Sequence, residues 1–384
     1  MKICRVVTVP FFLRHHLVEQ VKATVREGHT VHLVCGPGPE LEEIRGWEGV
    51  TVKEIDIPRE ISPIRDVRAL SKLFAYFLRE RFDIVHSATP KAGLLAGLAG
   101  LLCRVPVRLH TFTGQPWVEL SGALRFISRL ADKMTSRFAT VVYADSPSQA
   151  EFLVAEKIVP RGRIRVIGKG SLSGVNISEF DRRRWTEKAN AVRARLAIAE
   201  EQKVVVFVGR VTVDKGICEL VDSAVRLRRE GYSLALILVG PFEPHLDPLP
   251  PETLEAIQGA DWIHSIGYTS EPQSYLGCAD VMCLPSYREG FGMVVIEAAA
   301  MMLPAIGTHI TGLRDAIVDG VTGILVPPKD VTGLSSAMAR LLSDDALRMQ
   351  MGSAAYQRVS NDFSADQINA LLMKDYELLS RNIR

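Results

Sequence analysis

Short runs rich in Val and Ile alternate along this chain with longer stretches in which apolar side chains recur every three or four positions. The first pattern suits a strand buried on both faces and the second an amphipathic helix. The series opens with strands over Ile3–Val9, Thr30–Cys35, Thr51–Ile57 and Ile84–His86, separated by helices ending at Glu27 and Glu80. It continues through a helix over 91–103, strand Val107–His110, a helix over 122–137 and strands Thr140–Ala144 and Ile164–Ile167. Such alternation predicts a parallel sheet with helices on both faces, because parallel neighbours need a crossover connection.

The segment Gly168-Lys169-Gly170-Ser171-Leu172-Ser173-Gly174-Val175-Asn176 is dense in turn formers and reads as a hinge, followed by a polar, Arg-rich helical stretch over Ser178–Leu196. A second series then runs through strands Val204–Gly209, Leu234–Gly240, Ile263–Ile266, Val281–Leu284, Ala305–Gly307 and Gly323–Val326. Its helices fall over 215–230, 271–278, 293–302 and 312–318, with a Pro-rich loop over 241–251 and further helices from about Thr332. At 384 residues the chain exceeds the roughly 100–200 residues of an ordinary domain. The expected fold is α/β: two Rossmann-like, doubly wound parallel-sheet domains over 1–168 and 169–365, with a helix over about 366–384 packing back on the first. Two such domains would face each other across a cleft at the carboxyl ends of their strands, where open parallel sheets take ligands.

Charge narrows the partners. Forty-six Lys plus Arg against 44 Asp plus Glu leave a formal net charge of +2, too even for bulk charge to drive nucleic-acid binding. No nucleic-acid partner is expected. Cys4, Cys35, Cys103, Cys218, Cys278 and Cys283 form no CxxC pair and mostly sit in apolar runs, as buried free thiols do. The first residues show no cleavage-site pattern, and the apolar stretch Gly93–Cys103 is about half the roughly 20 residues that a membrane-spanning helix needs. The expected location is therefore cytoplasmic. The first strand is not followed by GxGxxG, and Gly36-Pro37-Gly38-Pro39 describes a turn rather than a phosphate cradle, which argues against a nicotinamide dehydrogenase.

The chemistry concentrates in the second half. In Pro285-Ser286-Tyr287-Arg288-Glu289-Gly290-Phe291-Gly292-Met293-Val294-Val295-Ile296-Glu297 a strand ends, two glycines follow and a helix opens. Helix starts direct unpaired N–H groups and the positive end of the helix dipole outward, and a diphosphate suits that environment. Glu289 and Glu297 flank the turn as acceptors for sugar hydroxyls; alternatively they cap the helix and line a solvated face. A second strand-to-helix turn, Val208-Gly209-Arg210-Val211-Thr212-Val213-Asp214-Lys215-Gly216, brings two cations, Arg210 and Lys215, to the same edge. There they would neutralise charge growing on a diphosphate leaving group, or else be solvated surface cations.

Together these segments resemble the family 4 glycosyltransferases of the GT-B fold, whose second domain carries a Gly-Arg…Lys-Gly loop and a Glu-x7-Glu motif. Arg314-Asp315, Asp319-Gly320, Gly323–Val326 and Gly174-Val175-Asn176 add to the likeness, which spans nearly the whole chain. The resemblance implies a retaining, metal-independent transferase in which Arg210, Lys215 and Glu289 are the catalytic candidates. Gly209, Arg210 and Lys215 would hold the donor diphosphate, and Glu289 with Gly290, Phe291, Gly292, Met293 and Val294 the transferred sugar. Glu297 would bind the ribose, and backbone near Ile266 and Tyr268 would meet the base. No Asp-x-Asp occurs, in keeping with no cofactor and no metal.

The first domain looks like the branch that extends polyprenyl-diphosphate-linked sugars for capsule, O-antigen or protein-glycan assembly, including the bacillosamine-lipid N-acetylgalactosaminyltransferases. Its acceptor candidates are Arg14 and His15 after the first strand, His86 and Lys91, and His110 and Thr113. Many members carry a His where Thr113 stands, which leaves His86 or His110 for that role or as structural histidines. Helices over 64–81 and 124–138 combine apolar positions with Arg and Lys. Ordinarily each would pack its apolar stripe on the sheet, but the basic positions suggest attachment to an anionic inner-membrane surface. The expected activity is transfer of a sugar, an N-acetylhexosamine by preference, from a UDP-sugar to a polyprenyl-diphosphate-linked saccharide by a peripheral enzyme on the inner face of the cell membrane. The alternatives are a nucleotide-sugar 2-epimerase on the same fold and a non-catalytic sugar-nucleotide sensor.

Overall fold

A computed structural model describes residues 1–245 and 247–381. The chain divides into two compact units, Met1–Gly174 with the segment from Ala365 onward, and Val175–Ser364. Each holds one all-parallel sheet. The first joins seven strands in the order β3-β2-β1-β4-β5-β6-β7: β1 (Lys2–Val6), β2 (Thr30–Cys35), β3 (Val50–Glu54), β4 (Ile84–Ser87), β5 (Val107–Phe112), β6 (Val141–Ala144) and β7 (Ile164–Val166). The second joins six in the order β10-β9-β8-β11-β12-β13: β8 (Lys203–Val208), β9 (Leu234–Val239), β10 (Ile263–Gly267), β11 (Val281–Leu284), β12 (Ala305–Thr308) and β13 (Gly323–Val326). This is the expected α/β class.

Burial follows strand alternation. In the first unit, Cys4, Val6 and Val85 pack under Leu73, Phe77, Leu95 and Ala96 on one face of the sheet. On the other, Ile3, Ile84, Leu109 and Tyr143 meet Leu372, Met373 and Tyr376 of the helix Ala365–Arg381. The central strands β8 and β9 of the second unit are apolar almost throughout and buried on both faces, as a covered parallel sheet requires.

The details depart from expectation in places. The unit boundary follows Gly174 rather than Gly168, and the last helix begins at Ala365. Positions 382–384 of the expected last helix lie outside the described residues. β1 stops at Val6, because Pro10 starts a helical turn that continues as a π-helical stretch, Leu13–Leu17, into the helix Val18–Arg26. The helices Leu41–Arg45, Pro147–Ala155 and Pro251–Gly259 were not expected. All six cysteines are unpaired, and burial pushes the Cys35 thiol up to about 12 and the Cys278 thiol up to about 11.

Candidate functional site

The order of the second sheet reverses between β8 and β11. Chains leaving two strands at such a reversal turn to opposite faces and open a crevice beyond the carboxyl edge. The turns over 209–216 and 285–292 border it. Gly216 lets them touch: its φ is +72°, and a Cβ there would lie 2.1 Å from the Pro285 carbonyl oxygen. Nearby, the Tyr287 N–H donates to the Asp214 carbonyl at 2.9 Å.

This junction sets Lys215 Nζ 2.5 Å from Glu289 Oε1, with both side chains 15% exposed. The Ser286 hydroxyl donates to the same carboxylate oxygen at 2.8 Å, and the Thr308 hydroxyl in turn donates to the Ser286 carbonyl. Arg210 bridges Glu243 at 2.7 Å and Asp214 at 3.3 Å, while Arg288 reaches Asp214 at 3.4 Å. The Asp214 N–H donates to Asp247 Oδ2 at 2.7 Å, tying the turn after β8 to the loop after β9. Burial pushes the Asp214 carboxyl up, but the Thr212 hydroxyl and the cations Lys215, Arg210 and Arg288 outweigh it and hold the group below its ordinary value. Three cations (Arg210, Lys215 and Arg288) thus interleave with three carboxylates (Asp214, Glu243 and Glu289), and Asp247 adds a fourth acidic group beside them.

The helix Met293–Ala300 opens directly after Gly292. Its N-terminal end favours an anion through the first-turn N–H groups and the dipole. Phe291 is 2% exposed and packs 5.2 Å from Phe363, so it has backbone rather than a side chain to offer a ligand. Met293 and Val294 are half-buried on the first turn. Burial pushes the Glu297 carboxyl up to about 7. Ile266 lies at the end of β10 and Tyr268 just beyond it, two strands from β8, with Tyr268 56% exposed. The residues expected to bind the donor, Gly209 and Gly290 included, therefore gather along one sheet edge and the helix that starts there. Sequence reasoning missed Glu243, Asp214 and Arg288 as members of this charge cluster. The available signal was an acidic residue between two cations and another in the loop after the adjacent strand.

The first sheet reverses between β1 and β4. Arg14, beyond β1, is paired with Glu43, and the His15 ring lies 4.2 Å from Phe11; burial, aided by Arg14, lowers the His15 pKa. Lys91, beyond β4, meets both Asp66 oxygens at 2.8 and 2.9 Å and the Glu60 carbonyl, so its charge is matched within the unit. Thr113 is half-buried in the turn after β5. The two histidines take another course. His86 pairs in register with Leu109 and Ser87 with His110, which puts the two rings on opposite faces of the sheet, each residue 2% exposed. His86 Nδ1 meets Tyr376 Oη and Arg5 Nη1 at 2.5 Å, and its Nε2 meets Thr111 Oγ1 at 2.7 Å. His110 Nδ1 is 2.9 Å from the Ser87 hydroxyl. Burial carries the His110 pKa to about 3, and burial with Arg5 and His110 nearby carries that of His86 well below its ordinary value. Both rings are neutral, partnered members of the interior and do not join Lys91 or Thr113 at the edge.

Among the described residues, no group of three or more His, Cys, Asp or Glu side chains is arranged to hold a metal ion. Residues 188–358 match the family described as glycosyl transferases group 1, and residues 13–170 match the glycosyl transferase 4-like domain. CapM, a capsular polysaccharide biosynthesis glycosyltransferase of Staphylococcus aureus, is 30% identical over 351 residues, covering 91% of this chain and 90% of its own. A D-inositol 3-phosphate glycosyltransferase of Corynebacterium diphtheriae is 27% identical, covering 75% of this chain and 69% of its own. Anabaena HepE, solved in complex with UDP-glucose, matches the fold with a TM-score of 0.82 at 18% identity over 98% of this chain and 99% of that one.

Proposed function

Because this chain belongs to the group 1 glycosyltransferases and has their two-sheet GT-B fold, we propose that it transfers a sugar from a UDP-sugar to a polyprenyl-diphosphate-linked saccharide, retaining the donor's configuration without a metal. An N-acetylhexosamine is the proposed sugar, and assembly of a surface polysaccharide or protein glycan the setting. The observation that carries this reading is the Lys215–Glu289 pair beside Arg210 at the point where the second sheet reverses. A capsule-building relative and a structural neighbour holding UDP-glucose support the setting and the donor class.

In the proposed reaction the acceptor hydroxyl attacks the anomeric carbon as the bond from that carbon to the β-phosphate oxygen breaks. Both events occur on one face of the sugar, and the departing phosphate takes the hydroxyl proton. Arg210 and Lys215 meet the charge that grows on the leaving diphosphate; a preorganised donor of this kind contributes about 3 kcal/mol in other enzymes. Glu289 accepts from hydroxyls of the transferred sugar and Glu297 from the ribose. The enzyme is proposed to work as a peripheral protein on the inner face of the cell membrane. No helix among the described residues is long and apolar enough to cross a bilayer.

The test is UDP release from a panel of UDP-sugars, with and without membrane extract containing polyprenyl-diphosphate glycans. Release that needs one UDP-sugar and the extract supports transfer. Conversion of the UDP-sugar without an acceptor would point to the epimerase, and binding without turnover to the sensor. Glu289→Gln should slow release at least about tenfold with the thermal transition retained; an unchanged rate would remove Glu289 from the sugar site.

A further inference from the structure

Three helices, Pro63–Glu80, Pro90–Leu102 and Gly122–Phe138, form one layer on the first unit, the middle one packed against both others. In Gly122–Phe138 burial runs opposite to the usual amphipathic arrangement. Its buried residues are Asp132, Thr135 and Ser136, whereas Phe126, Ile127 and Leu130 are 68%, 47% and 46% exposed. All residues from Ser121 to Ile127 are exposed. The inward side is complete without them. Gly93 of the middle helix admits Thr135 so closely that a Cβ would lie 2.8 Å from its methyl carbon, and Asp132 accepts from Trp117 Nε1 at 2.7 Å.

Pro63–Glu80 carries a second apolar stripe outside its buried one, with Ile64, Val67 and Leu78 at 80%, 63% and 58% exposure. The same helices are rich in cations. Arg65, Arg79 and Arg129 are paired with Asp56, Glu80 and Glu156. Arg68, Lys72, Arg125, Lys133 and Arg137 are exposed and, among the described residues, make no ion pair. A second copy seated on this face about a two-fold axis would set these cations against their own kind. An anionic bilayer offers acyl chains for the apolar side chains and phosphates for the cations.

We propose that this helical layer docks on anionic phospholipid, with Phe126, Ile127 and Leu130 entering the boundary between headgroups and acyl chains and Arg125 and Lys133 meeting the phosphates. This deepens the peripheral location proposed above without resting on the transfer chemistry. Through Trp117, which bonds to Asp132, the docked helix holds the turn after β5 that carries Thr113, an acceptor candidate. A lipid-linked acceptor would thus approach a turn fastened to the lipid-facing helix.

The full chain is sedimented with vesicles of phosphatidylcholine containing phosphatidylglycerol and with vesicles of phosphatidylcholine alone. Binding to the anionic vesicles is expected to be at least about tenfold tighter, and Phe126→Glu/Ile127→Glu and Arg125→Glu/Lys133→Glu should each weaken it about tenfold or more. Equal binding by either double variant, or none by the parent chain, would overturn the proposal. So would a parent dimer that Phe126→Glu/Ile127→Glu turns into a monomer with vesicle binding unchanged. Thermal stabilisation by a UDP-sugar, measured on the same samples, should survive in both variants. Its absence in the parent chain would count against the transferase reading and leave the vesicle result standing.

Discussion

Glu243 holds Arg210 at 2.7 Å, where a donor phosphate oxygen would compete for the same guanidinium. Glu243→Gln removes the competitor but keeps its shape, so it should tighten UDP-sugar binding by up to about fivefold, as read by calorimetry; a partly exposed ion pair is worth no more than about 1 kcal/mol. Weaker binding would make Glu243 a ligand contact instead. Glu297 sets a pH dependence. With its carboxyl pushed up to about 7, it is increasingly protonated below neutrality and loses strength as an acceptor. UDP-sugar affinity should fall between pH 8 and pH 6, and Glu297→Gln should flatten that slope. Stability should move the other way: the folded state binds the extra proton between the ordinary glutamate value and about 7, so this group's contribution to stability declines as pH rises through that window. The sequence singles out Arg210, Lys215, Glu289 and Glu297 from two strand-to-helix connections, and the structure places them on the turns after β8 and β11 and on the helix that follows. Glu243 is not among them, because its role depends on β9 lying beside β8.

Among the elements, the joint between the turns after β8 and β11 is the most constrained. Gly216→Ala would force a methyl group against the Pro285 carbonyl in a left-handed backbone. It should cost about 1–3 kcal/mol in denaturant unfolding and weaken donor binding, because the same joint sets Lys215 against Glu289. An unchanged midpoint would show that the turn relaxes freely. Strand-helix alternation gave the strands of both sheets to within a few residues, because buried parallel strands are apolar runs that punctuation cannot disguise. Pro147–Ala155 escaped because it lacks an amphipathic stripe; its start is marked by Pro147 and by Ser146 accepting from the Gln149 N–H. The outward-facing Gly122–Phe138 helix was half legible. The pattern gives its apolar stripe, but only the close approach at Gly93 shows that the stripe faces away from the interior.

At the scale of the whole molecule, the first unit is assembled from both ends of the sequence. Tyr376, 1% exposed, bonds to Arg5 and His86 and packs with Ile3, Ile84 and Leu109. Tyr376→Ala should therefore destabilise by about 3–5 kcal/mol in chemical denaturation, a cost expected of a deeply buried aromatic. A loss below about 1 kcal/mol would mean that the helix Ala365–Arg381 contributes little to the first unit. This return of the chain also shapes its synthesis. Val175–Ser364 is continuous and can close as soon as it has left the ribosome. Met1–Gly174 must wait for roughly 190 further residues, on the order of ten to forty seconds at typical elongation rates. During that interval the apolar face around Ile3, Ile84, Leu109 and Tyr143 lacks the helix that covers it, so the first half of the polypeptide to be made cannot finish folding until Ala365–Arg381 has been made.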